Sequence, residues 1–154
     1  MNETTIIYHS PGAIGLRILG LGPNFLPCDG LGQLKNLLEE NTTWAKNRSL
    51  NQLKKTLKYS NVIVSLWKNR KIIGFGRASS DYVFRATLWD IVIKEEEQRN
   101  GNGKMIVRAL LNNKAIKNVE KIYLMTSESE NFYYQLGFKR NANQTLMVIN
   151  KSSN

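Results

Sequence analysis

Cysteine and histidine are nearly absent: the chain carries one of each, Cys28 and His9. One cysteine excludes an intramolecular disulfide, and one histidine beside it excludes a Cys/His zinc cluster, so a reducing compartment and no structural zinc are expected. Proline is scarce, with 3 residues, and glycine contributes 11 of 154. That excludes collagenous, low-complexity and disordered classes. Long apolar runs are missing too. The best stretch, residues 13–21, is interrupted by Arg17, Gly15 and Gly20, and it falls far short of the ~20 residues that span a bilayer. No membrane partner is expected on that ground. The first ten residues have neither the basic and apolar regions of a secretory signal nor the Arg and Ser richness of a transit peptide, so the protein is expected to act where it is made.

What is present is a chain of 154 residues, 42% hydrophobic and 22% charged. This length supports one buried core, and residues 1–154 read as a single domain. Basic residues outnumber acidic ones 22 to 12, a formal net charge of +10. Residues 41–80 hold nine basic side chains and no acidic one. Such a segment attracts polyanions, nucleic acid or a phosphate-rich small molecule. The plainer reading, a solvated basic surface in a lysine- and asparagine-rich composition, carries more weight.

Periodicity orders the chain. Glycine and proline punctuate the first 30 residues, which read as loop with room for one short strand. Leucines 34 and 38, then 50, 53 and 57, recur at three- and four-residue spacing and predict two short helices, the second capped by Ser49. Residues 62–67 and 72–75 predict a hairpin turning at Asn69 and Arg70, and 86–93 a more buried strand after a turn at 79–81. Residues from Met105 predict a helix, 122–125 a short strand, 129–136 a helix stopped by Gly137, and 145–149 a last strand.

Between the third strand and its helix lies QRNGNGK, residues 98–104. Glycines before a helix let backbone N–H groups converge on phosphate oxygens, and the helix terminus adds partial positive charge. The spacing is neither a dinucleotide fingerprint nor a P-loop: a third glycine, a following acidic residue and the Lys-Ser/Thr ending are all missing. By itself the run is equally well a simple turn.

A second run supplies context. Q-x-x-G-x-G at 98–103 resembles the acetyl-CoA signature of the GNAT superfamily of N-acetyltransferases. About 30 residues on, NFYYQLGF at 131–138 resembles that superfamily's second signature, F-Y-x-x-x-G-F. The resemblance covers roughly residues 71–139. More narrowly, GFGRASSDYVFRATLWDIVI at 74–93 is similar to the plastid and cyanobacterial branch, which includes plant serotonin N-acetyltransferase-like enzymes and a family encoded in algal plastid genomes.

The resemblance implies an α+β GNAT fold, a mixed, mostly antiparallel central sheet flanked by helices. It implies acetyl-CoA as cosubstrate, without metal. The backbone of Ile91, Val92 and Ile93 would hold the pantetheine arm, while Gln98, Arg99, Asn100, Gly101, Asn102, Gly103 and Lys104 would wrap the pyrophosphate. Tyr133 falls where many relatives carry a tyrosine beside the thioester sulfur. Two positions depart from the pattern: Thr126, where relatives often have Asn or Asp, and Asn102, where apolar residues are common. A plastid location follows if the gene is plastid-encoded, and a cytoplasmic one otherwise. Dimers are common among relatives, and a homodimer stays open.

Acyl transfer to an amine needs a neutral nitrogen, so an ammonium of pKa ~10.4 must lose a proton, and the departing thiolate must gain one. Tyr133 offers a phenol as acid. Asp90 is the carboxylate nearest the cofactor strand and the candidate base, with Asp81, Glu128 and Glu130 behind it; a structural role for Asp90, or a water relay in its place, is equally open. Cys28 lacks a partner histidine in sequence and is a poor nucleophile candidate. Arylalkylamines, polyamines and protein lysines or N-termini are all open as acceptors. The rival reading is a GNAT-like module that binds acetyl-CoA or nucleic acid for regulation without turnover.

Overall fold

The computed structural model describes residues 3–13, 15–16, 22–25 and 27–151. Strand β1 (Thr5–His9) is followed by helices α1 (Gly30–Asn41) and α2 (Leu50–Lys58), strands β2 (Val62–Lys68), β3 (Lys71–Ser80) and β4 (Arg85–Ile93), helix α3 (Asn102–Leu111), strand β5 (Lys121–Tyr123) and helix α4 (Glu130–Tyr134). The sheet order is β1-β2-β3-β4-β5. Every neighbouring pair is antiparallel except β4 and β5, which run parallel.

Local chemistry accounts for the boundaries. Ser49 and Gln52 close a reciprocal cap on α2, the hydroxyl accepting the Gln52 N–H at 3.1 Å and the Gln52 carbonyl accepting the Ser49 N–H at 2.8 Å. The β2–β3 turn places Asn69 and Arg70 at φ 51° and 62°, the left-handed pair a two-residue hairpin requires. Leu34, Leu38, Leu57, Trp67 and Phe75 form an apolar cluster under α1 and α2. Val64, Leu66, Ile106, Leu110 and Ile116 form a second cluster under α3. Gly76 lets α3 approach the sheet, since a Cβ there would lie 2.6 Å from Ile106 Cγ2.

Between β1 and β2, Ser65 Oγ accepts the Trp67 Nε1–H at 2.8 Å and lies 2.7 Å from His9 Nε2. Burial lowers the His9 pKa to about 4. The imidazole is therefore neutral at pH 7.

Three expectations need correction. Strand β3 continues through Ser80, so the turn falls at residues 81–84 and not 79–81. Strand β5 ends at Tyr123. Residues 145–149 form no strand: Leu146, Met147, Val148 and Ile149 are 68 to 88% exposed. An apolar, β-branched run becomes a strand only where a neighbour offers a ladder, and β5 is 3 residues long.

Candidate functional site

Strand β4 leaves β5 early. The parallel ladder covers Arg85, Ala86 and Thr87 opposite Lys121, Ile122 and Tyr123. On its other edge β4 stays with β3 as far as Ile93, opposite Gly74. Past Thr87 the β5-facing edge has no partner strand among the described residues. The ladder to β3 shifts register between Phe75 and Arg77, and Asp90 takes φ 51°. The irregularity twists the strand where it separates. A slot bordered by unpaired main chain accepts an extended ligand as an added strand. Ile91, Val92 and Ile93 line that stretch of β4.

The loop that follows is tied to the sheet by its own polar groups. Lys94 N–H donates to Ile73 O at 2.8 Å. Gln98 Nε2 donates to Ile93 O at 3.1 Å. Asn102, 5% exposed, donates through Nδ2 to Glu97 O at 2.8 Å, which gives its polarity a structural use. Lys68 holds the Glu97 carboxylate at 2.7 Å. Arg99 and Gly101 take φ 61° and 81°, so the chain doubles back just before α3.

Gly101 caps α3 without a side-chain hydrogen bond, and the first helical bond is Met105 N–H to Gly101 O at 3.0 Å. The N–H groups of Asn102, Gly103 and Lys104 therefore have no intrahelical acceptor and point out of the helix start. With the helix dipole and Lys104 they form a cradle that fits a phosphate. Beside it, Gly101 together with Lys104, Met105 and Arg108 of α3 faces Ile6 and Tyr8 of β1 across a groove of about 360 Å³.

The second motif touches the first. A Cβ on Gly103 would meet Phe132 Cζ at 3.2 Å and Ile93 Cγ1 at 3.9 Å. Phe132 in turn packs edge-on against Tyr133, with centroids 5.0 Å apart and planes at 73°. Phe138 also packs edge-on against Tyr133, at 5.8 Å and 79°. The Tyr133 hydroxyl makes no hydrogen bond among the described residues, and burial pushes its pKa up. It keeps its proton at neutral pH. Tyr134 differs: it is 43% exposed, and its hydroxyl donates to Glu130 Oε2 at 3.4 Å.

Asp90 sits between two arginines. Its Oδ2 accepts Arg77 Nε–H at 2.6 Å, and Arg48 Nη1 lies 3.2 Å from Oδ1. Arg77 also sits over the Trp89 ring, and Arg48 over Trp44. The carboxylate, 8% exposed, joins the α1–α2 connection to the irregular stretch of β4. Two guanidiniums occupy both oxygens. Asp90, expected as the base, is thus held between Arg48 and Arg77 with both oxygens engaged. Asp81 spends one oxygen on three backbone N–H groups, and Glu130 is chelated by Arg140. At Cys28 burial raises the thiol pKa, which disfavours the thiolate. Sequence reasoning missed Arg48, Arg77 and Phe132; the two arginines are distant in the chain and nothing local marks them.

Residues 31–138 match the profile of the acetyltransferase (GNAT) family. The chain belongs to this family. A curated relative, the uncharacterized N-acetyltransferase ycf52 of Pyropia yezoensis, is 38% identical over 100 residues, covering 62% of this chain and 57% of that protein. The ycf52-like N-acetyltransferase of Prochlorococcus marinus is 30% identical over 107 residues, 67% of this chain and 58% of that protein. The chain thus spans little more than half the length of these relatives. The chloroplastic GCN5-related N-acetyltransferase 2 of Arabidopsis thaliana is 37% identical over 73 residues, 47% of this chain and 28% of the relative. Among solved structures, an acetyltransferase of the GNAT family from Xanthomonas campestris superposes with TM-score 0.73 at 18% identity, covering 94% of both chains. These neighbours place the GNAT domain in the plastid and cyanobacterial branch and confirm its fold.

Proposed function

We propose that this GNAT domain transfers acetyl from acetyl-CoA to a primary amine by direct attack, in a plastid. The observation that carries the reading is the junction of Ile93, Gly103 and Phe132, which holds the open edge of β4, the N-terminus of α3 and the Tyr133 helix in contact. The residues fit the donor: main-chain groups of Ile91, Val92 and Ile93 hold the pantetheine arm, and residues 98–104 hold the pyrophosphate through N–H groups, Arg99 and Lys104. Bound there, acetyl-CoA supplies a thioester whose C–S bond breaks as the C–N bond to the amine forms. Tyr133 gives its phenolic proton to the departing sulfur and recovers one from solvent. The proton lost by the amine goes to water, because Arg48 and Arg77 already hold Asp90. Support for the plastid comes from the relatives, one of which is chloroplastic by name.

The experiment is transfer from labelled acetyl-CoA to a panel of arylalkylamines, polyamines and lysine or N-terminal peptides. Turnover on one class, unaffected by a chelator, is expected. Tight donor binding with no turnover on any acceptor would favour a regulatory binding module instead.

A further inference from the structure

The β3–β4 turn exposes three consecutive large apolar side chains: Tyr82, Val83 and Phe84 are 52, 54 and 53% exposed. The turn is nonetheless tightly built. Asp81 Oδ1 accepts the N–H groups of Val83, Phe84 and Arg85 at 2.9, 2.7 and 2.9 Å, and Ser80 Oγ accepts that of Tyr82 at 2.9 Å. The Val83 and Phe84 carbonyls accept from Glu120 and Lys121 N–H at 3.3 and 3.1 Å. The N–H groups of Tyr82, Val83 and Phe84 and the carbonyls of Val83 and Phe84 are thus satisfied internally, and moving them out of water does not strand them.

Cations surround the tip. Lys121 opens β5 opposite Arg85. The Ser80 hydroxyl donates to Ala115 O, which brings exposed Lys114 and Lys117 to the same end. Strand β2 begins opposite the end of β3, and Asn61 Nδ2 donates to the Tyr82 hydroxyl at 3.3 Å. That contact brings in the end of α2, where Lys58 lies over the ring of Tyr59, a side chain 74% exposed. The carboxylates here are already engaged: Asp81 by backbone, Glu120 by Arg85 at 3.1 Å.

We propose that this end of the molecule docks on an anionic lipid bilayer, with Tyr82, Val83 and Phe84 entering the headgroup boundary and the lysines facing lipid phosphates. Apolar insertion combined with basic residues is how peripheral proteins hold such surfaces. A single-stranded nucleic acid fits less well, because it is held by flat stacking faces and a basic groove, whereas Val83 offers no face and the tip is a turn. Strand β4 runs from Arg85 to Ile93, so the phosphate cradle lies at the far end of the sheet, roughly 25 to 30 Å away at ~3.3 Å per residue. Docking leaves it open to solution. No helix among the described residues is long and apolar enough to cross a membrane, and the surface needs none. This inference stands apart from the acyl-transfer reading.

The test is co-sedimentation of the full chain with phosphatidylglycerol vesicles, with phosphatidylcholine vesicles and an RNA oligonucleotide as comparisons. Binding to phosphatidylglycerol alone, weakened by salt and reduced at least about tenfold in Val83→Ser/Phe84→Ser with circular dichroism unchanged, is expected. Should that variant misfold, Lys114→Glu/Lys117→Glu decides, with a loss of the same order. Absence of vesicle binding at low salt, undiminished binding by a folded variant of either pair, or tighter binding to RNA than to the vesicles overturns the proposal.

Discussion

The ring of Phe132 stands where a side chain on Gly103 would be, its Cζ 3.2 Å and its Cε2 3.5 Å from the position of a Cβ. One residue belongs to the glycine loop and the other to the helix that carries Tyr133, so the two motifs form one packed unit. Gly103→Val forces the ring aside or the helix start outward. Donor affinity should fall at least about fivefold, with near-native circular dichroism, since overpacking costs on the order of 1 to 3 kcal/mol. Calorimetric titration with acetyl-CoA measures it, and unchanged affinity would reduce the loop to a turn.

Tyr133→Phe keeps the two edge-on ring contacts and removes only the hydroxyl. Turnover should drop roughly 10²-fold with donor binding retained, the loss typical of a missing general acid. Tyr134→Phe, whose hydroxyl is committed to Glu130, should leave turnover near wild type. The reverse pattern would shift the assignment by one residue, and two active variants would end the case for tyrosine as acid.

For Asp90→Asn the expected effect is on stability. Removing the charge and one of the two acceptor oxygens leaves one of Arg48 and Arg77 facing an NH2 donor, a loss of about 3 kcal/mol for a carboxylate this little exposed. Chemical denaturation should report the loss, while the rise of kcat with pH keeps its shape at temperatures where the variant is folded. A variant of wild-type stability that has lost turnover and that pH limb would restore Asp90 as base.

His9 makes stability depend on pH. Above its ordinary pKa of 6.5 the imidazole is neutral in both states. Between 6.5 and the folded value of about 4 the unfolded chain binds a proton that the native state does not. Stability therefore falls as pH drops through this window, by about 3 kcal/mol in all, and His9 adds no further loss below it. Urea midpoints from pH 7.5 to 4 should slope more steeply in the wild type than in His9→Gln. Parallel slopes would show that burial does not hold the imidazole neutral.

Much of the fold was legible because its signals are local. The α2 cap needs only Ser49 and Gln52, the β2–β3 turn only Asn69 and Arg70, and α3 only its apolar spacing. The first strand was faint because Thr5–His9 alternates weakly, with a burial pattern set by β2 alongside it. The last predicted strand failed for the opposite reason: residues 145–149 have strand-forming side chains and no ladder to join.

Sequence by itself determined the family, the order of the elements from α1 to α4 and the positions of the glycine loop and of Tyr133, since these depend on residue type and spacing. Only the tertiary structure decided what surrounds Asp90, because the two arginines that hold it come from the α1–α2 connection and from β3. The same is true of the slot. Where β4 parts from β5 depends on a ladder between strands separated by α3, and no local pattern records where two distant segments stop sharing hydrogen bonds.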